Sequence, residues 1–483
     1  MMAEARTGGT GADAPIGTIE ARSIDYVPAS ERHGKIWQQG PFWFLGNFQF
    51  FTITIGFIGP SIGLSVIQTI VAGTLGIAFG TLFMAFHATQ GPHLGLPQMI
   101  QSRAQLGYLG VVVALFGSWV TFMLFNVVDV ILLQSGLNGI FGWDPLLIAA
   151  VTTIIAAALA IYGHDLLHRV FRILFFASLP FYVILSVAIV TGGVTGTPAP
   201  AGEFSWAALL AQFTAAAAYN ITYAPYVSDY SRYLPRNTKT GPIVASVFFG
   251  AAGSAVWLIA LGAWLAANLG ATDALVSLRD AGDAVFGGLG SLLAILSVLA
   301  LVATMGINAY SAMLSTVTAV DSVRKVNPSR NLRVATIVVL AVLWSAAAVS
   351  IGGDAVGTLF NSLIVMLYLL VPWTAVNLVD YFFVRRGRYA ILDLLRPSGI
   401  YGTWGRRGLT AYAIGLLSMA PFIVIPGWVT APLAEVLGGA DVSAVIGLVV
   451  SAGVYFALTR SLDLAAENPA IDASERTIAE TMP

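Results

Sequence analysis

Cysteine is absent from this chain of 483 residues, and charged residues make up only 10% of it. Without cysteine the protein cannot form disulfides, bind an iron–sulfur cluster through thiolates or use a thiol nucleophile. A soluble domain carries about 25% charged residues, so a chain with so few cannot cover a water-facing surface. The formal net charge of −1 provides no field that would attract nucleic acid.

Hydrophobic residues are correspondingly abundant. They make up 57% of the chain, and the mean hydropathy is +0.82. These values predict a protein whose solvent is the lipid bilayer. The polar N-terminal stretch lacks the apolar core of a cleavable signal peptide. We therefore expect a disordered cytoplasmic tail over residues 1–35, a transmembrane domain over 36–460 and a cytoplasmic C-terminal tail over 461–483.

Apolar runs of roughly 18–25 residues predict membrane-spanning helices. Twelve such runs are present, and they cover residues 42–66, 67–88, 109–135, 146–163, 170–192, 204–227, 242–269, 287–318, 332–350, 356–384, 409–429 and 441–459. With twelve spans, all of the 23 lysines and arginines except Arg279 fall in the tails, in the loops on one side or within the first three residues of a span on that side. Because basic loops stay in the cytoplasm, this distribution predicts a multi-pass protein of the cell membrane with both termini cytoplasmic.

Two spans contain residues that interrupt helices. Span 1 carries Gly56, Gly59 and Pro60, and span 6 carries Pro225. Each proline on its own is explained by a simple kink. Interrupted helices at matching positions in two halves, here five spans apart, are a sequence pointer to a transporter binding site at the bilayer midplane. We therefore predict broken helices at these four residues.

Polar side chains at membrane depth recur in spans 3 and 8, again five spans apart. Phe122, Asn126 and Asp129 share one helix face in span 3, and Thr304 and Asn308 lie one turn apart in span 8. Amides in hydrocarbon need hydrogen-bond partners. The alternatives are interhelical contacts or a cavity lined by two amides.

Asp129 has no lysine or arginine at comparable depth in any predicted span. An ionised carboxylate near the bilayer centre costs several kcal/mol. Unless it lies near the interface, Asp129 is then either neutral or in contact with water, and a neutral carboxyl there is a candidate proton carrier.

Aromatic side chains complete a possible binding site. Tyr219 and Tyr223 lie one turn apart just before the predicted break in span 6. Aromatic rings cover the faces of a flat heterocycle, while asparagine offers donors and an acceptor to its edge. This combination suits nucleobases and related vitamins.

Four stretches of the chain resemble the nucleobase–cation symporter-1 family, in its purine–cytosine permease branch: NFQFFTITIGFIGPS at 47–61, GLPQMIQSRAQLG at 95–107, YAPYVSDYSRYLP at 223–235 and INAYSAMLS at 307–315. The resemblance implies an all-α polytopic fold of twelve transmembrane helices. It consists of a five-plus-five inverted repeat of the leucine-transporter type and two C-terminal helices. It also implies uptake of nucleobases, above all cytosine and purines.

The resemblance assigns roles by position. It implies stacking roles for Phe122 and Tyr223 and substrate contacts for Asn126, Asn308, Thr304 and Thr52. Sodium-coupled relatives carry hydroxyls about one and a half turns before the span 8 amide, where this chain has Val302 and Ala303. This departure favours protons over sodium. The family pattern does not include Asp129, whose role rests on its own chemistry.

We therefore predict a proton-coupled importer of a nucleobase that works by alternating access, with Gln49 and Tyr219 also in the site. The alternatives are a related ring compound, such as allantoin or a pyridine or pyrimidine vitamin precursor, and sodium coupling. A channel or membrane receptor is the other class. The sequence shows no HExxH or Walker A motif, so we expect neither an enzyme nor a cofactor or metal site. A small solute and the bilayer are the expected partners. The sequence leaves the oligomeric state open, and a monomer is compatible with this function.

Overall fold

A computed structural model describes residues 24–198, 200, 202–327, 329–351 and 354–481. Nearly all regular structure in this part is helical. The α-helices are α1 (Gln39–Asn47), α2 (Phe50–Ser61), α3 (Val66–His87), α4 (Gln90–Leu94), α5 (Gln98–Gln101), α6 (Arg103–Leu106), α7 (Val112–Phe141), α8 (Pro145–Tyr162), α9 (His164–Val190), α10 (Trp206–Ile221), α11 (Ala224–Ser231), α12 (Thr240–Leu269), α13 (Ala274–Val285), α14 (Leu289–Val323), α15 (Arg330–Ile351), α16 (Ala355–Val379), α17 (Arg406–Met419), α18 (Pro432–Val436), α19 (Ser443–Thr459) and α20 (Asn468–Thr481).

Shorter elements connect these helices. Single 3₁₀ turns lie at Ala29–Glu31, Ile36–Gln38, Ile391–Leu395, Ala420–Phe422 and Ala465–Glu467, and a π turn, Asp380–Val384, extends α16. The strands β1 (Val424–Ile425) and β2 (Val429–Thr430) form a small antiparallel hairpin.

A helix or helix pair lies at each of the twelve predicted positions. Within the described residues, eight helices are long and apolar enough to cross a membrane, or nine if the bent pair α1–α2 counts as one span. The remaining positions hold the shorter helices α10–α11, α17 and α19. The multi-pass α-helical class is therefore confirmed, and the count of twelve stays a prediction.

The long helices pack in two groups of four spans. One group contains the pair α1–α2, the helix α3, the pair α10–α11 and the helix α12, and the other contains α7, α8, α14 and α15. Helix α9 contacts α1, α8 and α14, while α16 contacts α7 and α10. The two broken spans therefore lie in one group, and the spans that carry Asn126 and Asn308 lie in the other.

The basic loops meet at one end of the molecule. Arg103, after span 2, pairs with Asp321 near the end of α14 at 3.2 Å. Arg236, after span 6, pairs with Glu475 of the C-terminal helix α20 at 2.9 Å. We call this the arginine-rich end. These contacts agree with the predicted alternation of loops, and the cytoplasmic location of this end stays a prediction.

Both predicted tails contain packed structure. Ile24, Tyr26 and Val27 are buried, and the Arg32 guanidinium donates to the carbonyls of Val27 and Pro92. The expected disorder therefore does not extend over residues 24–35, because apolar side chains and a buried arginine hold them. Residues 1–23 lie outside the described residues.

The C-terminal tail contains an amphipathic helix that the sequence analysis did not predict. The apolar side of α20 buries Ile471 and Ile478, and Ser474 accepts a hydrogen bond from the backbone N–H of Leu392. The loop after span 10 and the C-terminus therefore form one structural unit at the arginine-rich end.

The interruption of span 1 lies at Phe48 and Gln49, not at Gly56, Gly59 and Pro60. Helices α1 and α2 meet there at 55°, and the Gln49 side chain caps α2 by accepting from the Phe51 N–H at 2.6 Å.

Helix α2 continues through Gly56 and Gly59, and Pro60 precedes its last residue. A Cβ on Gly56 would lie 2.3 Å from the carbonyl oxygen of Ile259 in α12, and one on Gly59 would lie 2.2 Å from the Thr69 hydroxyl. Close helix packing, rather than a break, explains these two glycines.

The interruption of span 6 lies at Thr222 and Tyr223, between α10 and α11. Pro225 occupies the first turn of α11. Proline is well tolerated there because a first-turn N–H has no partner within its own helix.

Candidate functional site

The two breaks are tied to each other. Asn47, the last residue of α1, donates to the side-chain oxygen of Asn220 at 2.8 Å and to the carbonyl of Ala251 at 3.0 Å. Asn220, one residue before the end of α10, donates in turn to the Thr81 hydroxyl at 2.6 Å. Amides therefore connect the points at which both helices stop, so the two breaks form one local structure.

The predicted amides of spans 3 and 8 are in contact. Asn308 Nδ2 donates to Asn126 Oδ1 at 3.1 Å, and Asn126 Nδ2 donates to the carbonyl of Met305 at 3.3 Å. Tyr226 of α11 donates its hydroxyl to Asn308 Oδ1 at 3.2 Å. The edge groups available to a solute are thus held together, and one of them is linked to the broken span 6.

The two predicted stacking residues both contact the ring of Tyr226. The Phe122 ring meets the Tyr226 ring edge-on, with centroids 4.9 Å apart, and Tyr223 meets Tyr226 edge-on at 5.2 Å. Tyr223 itself stacks on Phe125, with centroids 5.6 Å apart and planes 13° apart. In this conformation Tyr226 therefore contacts both predicted stacking residues, and Phe125 covers one face of the Tyr223 ring.

The hydroxyl of Tyr219 lies within hydrogen-bond distance of polar side chains from both breaks. Gln49 Nε2 donates to it at 3.0 Å, and the hydroxyls of Thr52 and Tyr223 lie 2.9 Å and 3.2 Å from it. The Phe51 ring stacks on the Tyr219 ring at 5.2 Å. Four predicted site residues, Gln49, Thr52, Tyr219 and Tyr223, therefore form one hydrogen-bonded cluster across the two broken spans.

The hydroxyl of Thr304 forms its hydrogen bond within its own helix. Its hydroxyl donates to the carbonyl of Ala300 in its own helix at 3.0 Å, which is a common way for threonine to satisfy its hydroxyl in a membrane helix. The side chain is buried on the same helix as Asn308, one turn before it.

Asp129 lies buried beside this cluster. The residue is only 2% exposed, and its Oδ2 has no hydrogen-bond partner among the described residues. It lies within electrostatic range of the hydroxyls of Tyr219, Tyr223 and Tyr226. A charged carboxylate with an unpartnered oxygen is costly in such a buried place.

The candidate site is closed to solvent in this structure. All the predicted solute-binding residues and Asp129 are at most 3% exposed. No group of three or more His, Cys, Asp or Glu residues within the described part of the chain is arranged to hold a metal ion.

Sequence reasoning missed several residues of the site. Tyr226 donates a hydrogen bond to Asn308, and Phe125 stacks on Tyr223. Asn47 and Asn220 join the two breaks. One signal was available: tyrosines at 219, 223, 226 and 230 keep helical spacing through the span 6 break. If that helical stripe is continued past Pro225, it places Tyr226 on the site.

The chain matches a protein-family profile over most of its length. A profile of a family described as permeases for cytosine and purines, uracil, thiamine and allantoin matches residues 26–450.

Two relatives are similar in sequence. The YxlA protein of Bacillus subtilis (strain 168), provisionally named a purine–cytosine permease, is 32% identical over 453 residues, which cover 92% of this chain and 96% of that protein. The purine–cytosine permease FCY21 of Saccharomyces cerevisiae is 26% identical over 268 residues, which cover 52% of this chain and 48% of that protein.

A solved structure shares the fold. Mhp1, a nucleobase–cation–symport-1 family transporter solved in a closed conformation with bromovinylhydantoin bound, superposes with a TM-score of 0.69. The match covers 95% of this chain and 96% of Mhp1 at 17% identity. The predicted five-plus-five inverted-repeat fold is therefore confirmed.

Proposed function

The chain belongs to the family of permeases for cytosine, purines, uracil, thiamine and allantoin, and from this premise we propose that it is a symporter that imports a nucleobase such as cytosine or a purine. The family and the fold make it a membrane transporter of nucleobase-type solutes rather than an enzyme. The solute, the direction and the coupling ion are the parts that we propose.

The contact between Asn126 and Asn308 carries this proposal. A nucleobase has two apolar faces and an edge that alternates donors and acceptors, and each amide offers both types of group. In the closed structure the amides satisfy each other and Tyr226. A bound base would take over these hydrogen bonds, so that no buried polar group is left unpaired.

Alternating access follows from where the breaks lie. We propose that the group of spans 1, 2, 6 and 7 moves against the group of spans 3, 4, 8 and 9. The solute would contact the first group through Tyr223 and the second through Phe122 and Asn308. A solute that touches both groups changes the free-energy difference between their arrangements, which transport requires.

Proton coupling is the second part of the proposal, and it rests on Asp129. Its unpartnered oxygen lies in the second helix group, near the tyrosines of the first. Protonation would remove a buried charge and so favour the closed conformer, while deprotonation would favour a conformer in which water reaches the carboxylate. The apolar side chains of Val302 and Ala303 add no oxygen ligand for sodium.

A related ring compound is the alternative solute. The bromovinylhydantoin in the Mhp1 structure is a flat heterocycle with edge donors and acceptors, and the family description includes allantoin and thiamine. The same stacking and amide groups would serve these compounds.

A ligand screen followed by transport tests this proposal. Purified protein should be stabilised against heat by one or a few nucleobases, with no dependence on sodium. Proteoliposomes should then accumulate that base above its external concentration, with saturable kinetics, when the outside is acidic. Flux that does not saturate would favour a channel. An uptake that survives a proton ionophore unchanged would contradict proton coupling, and stabilisation only by allantoin or a vitamin would select the alternative solute.

A further inference from the structure

A separate cavity lies at the arginine-rich end, away from the solute site. Its volume is about 430 Å³, and it lies between the π turn that follows α16, the end of α19 and the start of α20. Its polar lining includes four arginines and one glutamate, namely Arg385, Arg386, Arg388, Arg460 and Glu467. Nothing in the proposed transport mechanism uses these residues.

The charges of this cavity are not balanced. Arg385 is buried and already paired with Asp380 at 2.7 Å and with Glu467 at 2.9 Å. The other three arginines are exposed and have no ion pair within the described part of the chain. Three guanidinium groups around one cavity repel each other unless an anion lies between them. The cavity therefore has the charge of an anion site.

The backbone turns sharply to bring these arginines together. Arg386 has φ of 51°, the sole positive φ at a non-glycine residue in the described chain, and Gly387 follows with φ of 77°. A left-handed conformation is unfavourable for arginine, and the ion-paired Arg385 directly precedes this turn. The consequence is that Arg385, Arg386 and Arg388 all line one cavity.

The remaining wall of the cavity is apolar and faces outward. Phe383 is 64% exposed and Phe456 is 44% exposed. Phe383 lies at the end of the candidate membrane span Ala355–Val384, and Phe456 lies near the end of the shorter apolar helix α19. Exposed aromatic rings next to arginines are typical of the boundary between hydrocarbon and headgroups. A ligand with a negative headgroup and apolar chains matches both halves of this surface.

We propose that this cavity binds the phosphate headgroup of an anionic phospholipid from the leaflet at the arginine-rich end. The phosphate accepts hydrogen bonds from Arg386, Arg388 and Arg460, and the acyl chains lie along Phe383 and Phe456. Basic pockets at the membrane boundary bind such headgroups, and guanidinium groups match phosphate oxygens in geometry as well as in charge. The lipid then joins α16, α19 and α20 at one point.

Lipid titration of the purified, delipidated full-length protein tests this inference. Phosphatidylglycerol or phosphatidylcholine would be added in detergent, with bound lipid counted by native mass spectrometry and the melting temperature measured in parallel. Inorganic phosphate and glycerol phosphate form a third arm, which separates a lipid from a soluble phosphate. We expect phosphatidylglycerol alone to remain bound and to raise the melting temperature.

Charge removal provides the matched comparison. The double variant Arg386→Gln/Arg388→Gln should bind phosphatidylglycerol about thirtyfold more weakly, from the usual contribution of two basic residues near an anionic surface. Arg460→Gln, on a different helix, should weaken binding about fivefold. The control Arg169→Gln/Arg172→Gln removes two exposed arginines from the start of α9 at the same end and should leave binding unchanged.

Three results would overturn the proposal. Equal binding of phosphatidylcholine would exclude recognition of charge. Equal stabilisation by inorganic phosphate would assign the cavity to a soluble anion. Unchanged phosphatidylglycerol binding in both the double variant and Arg460→Gln would exclude this cavity as the site. All three variants alter exposed side chains, so folded protein is expected in every case.

Discussion

Replacement of Asn308 by alanine separates a binding role from a structural one. The amide joins the hydroxyl of Tyr226 at 3.2 Å to the side chain of Asn126 at 3.1 Å. A side-chain hydrogen bond inside a membrane protein contributes about 0.6 kcal/mol on average. The loss of two such bonds therefore costs about 1 kcal/mol of stability, which leaves most molecules folded.

Solute binding should suffer much more than stability. If Asn308 makes two hydrogen bonds to the edge of a nucleobase, each is worth about 1–1.5 kcal/mol. Their loss predicts that the half-saturation concentration for uptake rises about 30- to 150-fold. Initial rates of nucleobase uptake into proteoliposomes, measured over a range of concentrations, give this ratio directly.

The control for Asn308→Ala is Asn361→Ala. Asn361 also donates through its amide, to the carbonyl of Pro426 at 3.1 Å, but at the opposite end from the arginine-rich end. We expect its variant to transport normally. Folded Asn308→Ala protein with the wild-type half-saturation concentration would remove the residue from the site and refute the reasoning. An equal loss in both variants would show that the effect is general instability.

Three further predictions follow from the structure. Asp129→Asn keeps the shape of the side chain but replaces the carboxyl by an amide that does not titrate. Uptake should therefore lose its response to external pH and to a proton ionophore, and a retained response would exclude Asp129 as the proton carrier. Phe122→Ala removes one stacking surface and should raise the half-saturation concentration of the folded protein about tenfold. The loss of a buried ring also lowers stability, so uptake is measured on the monodisperse folded fraction, and normal uptake there would exclude stacking by this ring. Gly56→Ala places a methyl group 2.3 Å from the Ile259 carbonyl oxygen and should cost about 1–3 kcal/mol of stability. Thermal melting measures this loss against the control Gly253→Ala, whose added Cβ meets nothing within 4 Å. Equal melting temperatures of the two variants would contradict the close packing.

Helix positions could be predicted from the sequence because each depends on a long local run of apolar residues. The chemical character of the site could also be predicted. Asn126 and Asn308 are conspicuous amides in apolar helices, and they contact each other in the structure. Both signals are local in the chain, and the bilayer makes them strong because it penalises any unpaired polar group.

The position of the first break could not be read from the sequence, because glycine and proline have more than one use in helices. Gly56 permits contact with α12, a partner more than two hundred residues away. The real break, at Phe48 and Gln49, contains neither residue type and depends on the cap that Gln49 provides. Tyr226 was missed for a similar reason, since its role depends on three helices meeting.

The most direct test of the account is a structure of the protein saturated with the nucleobase that stabilises it most. The account predicts a ring between Phe122 and Tyr223, with Tyr226 moved aside and the ring edge hydrogen-bonded to Asn126 and Asn308. A base bound elsewhere, with the Asn126–Asn308 contact intact and Tyr226 in its present position, would contradict it.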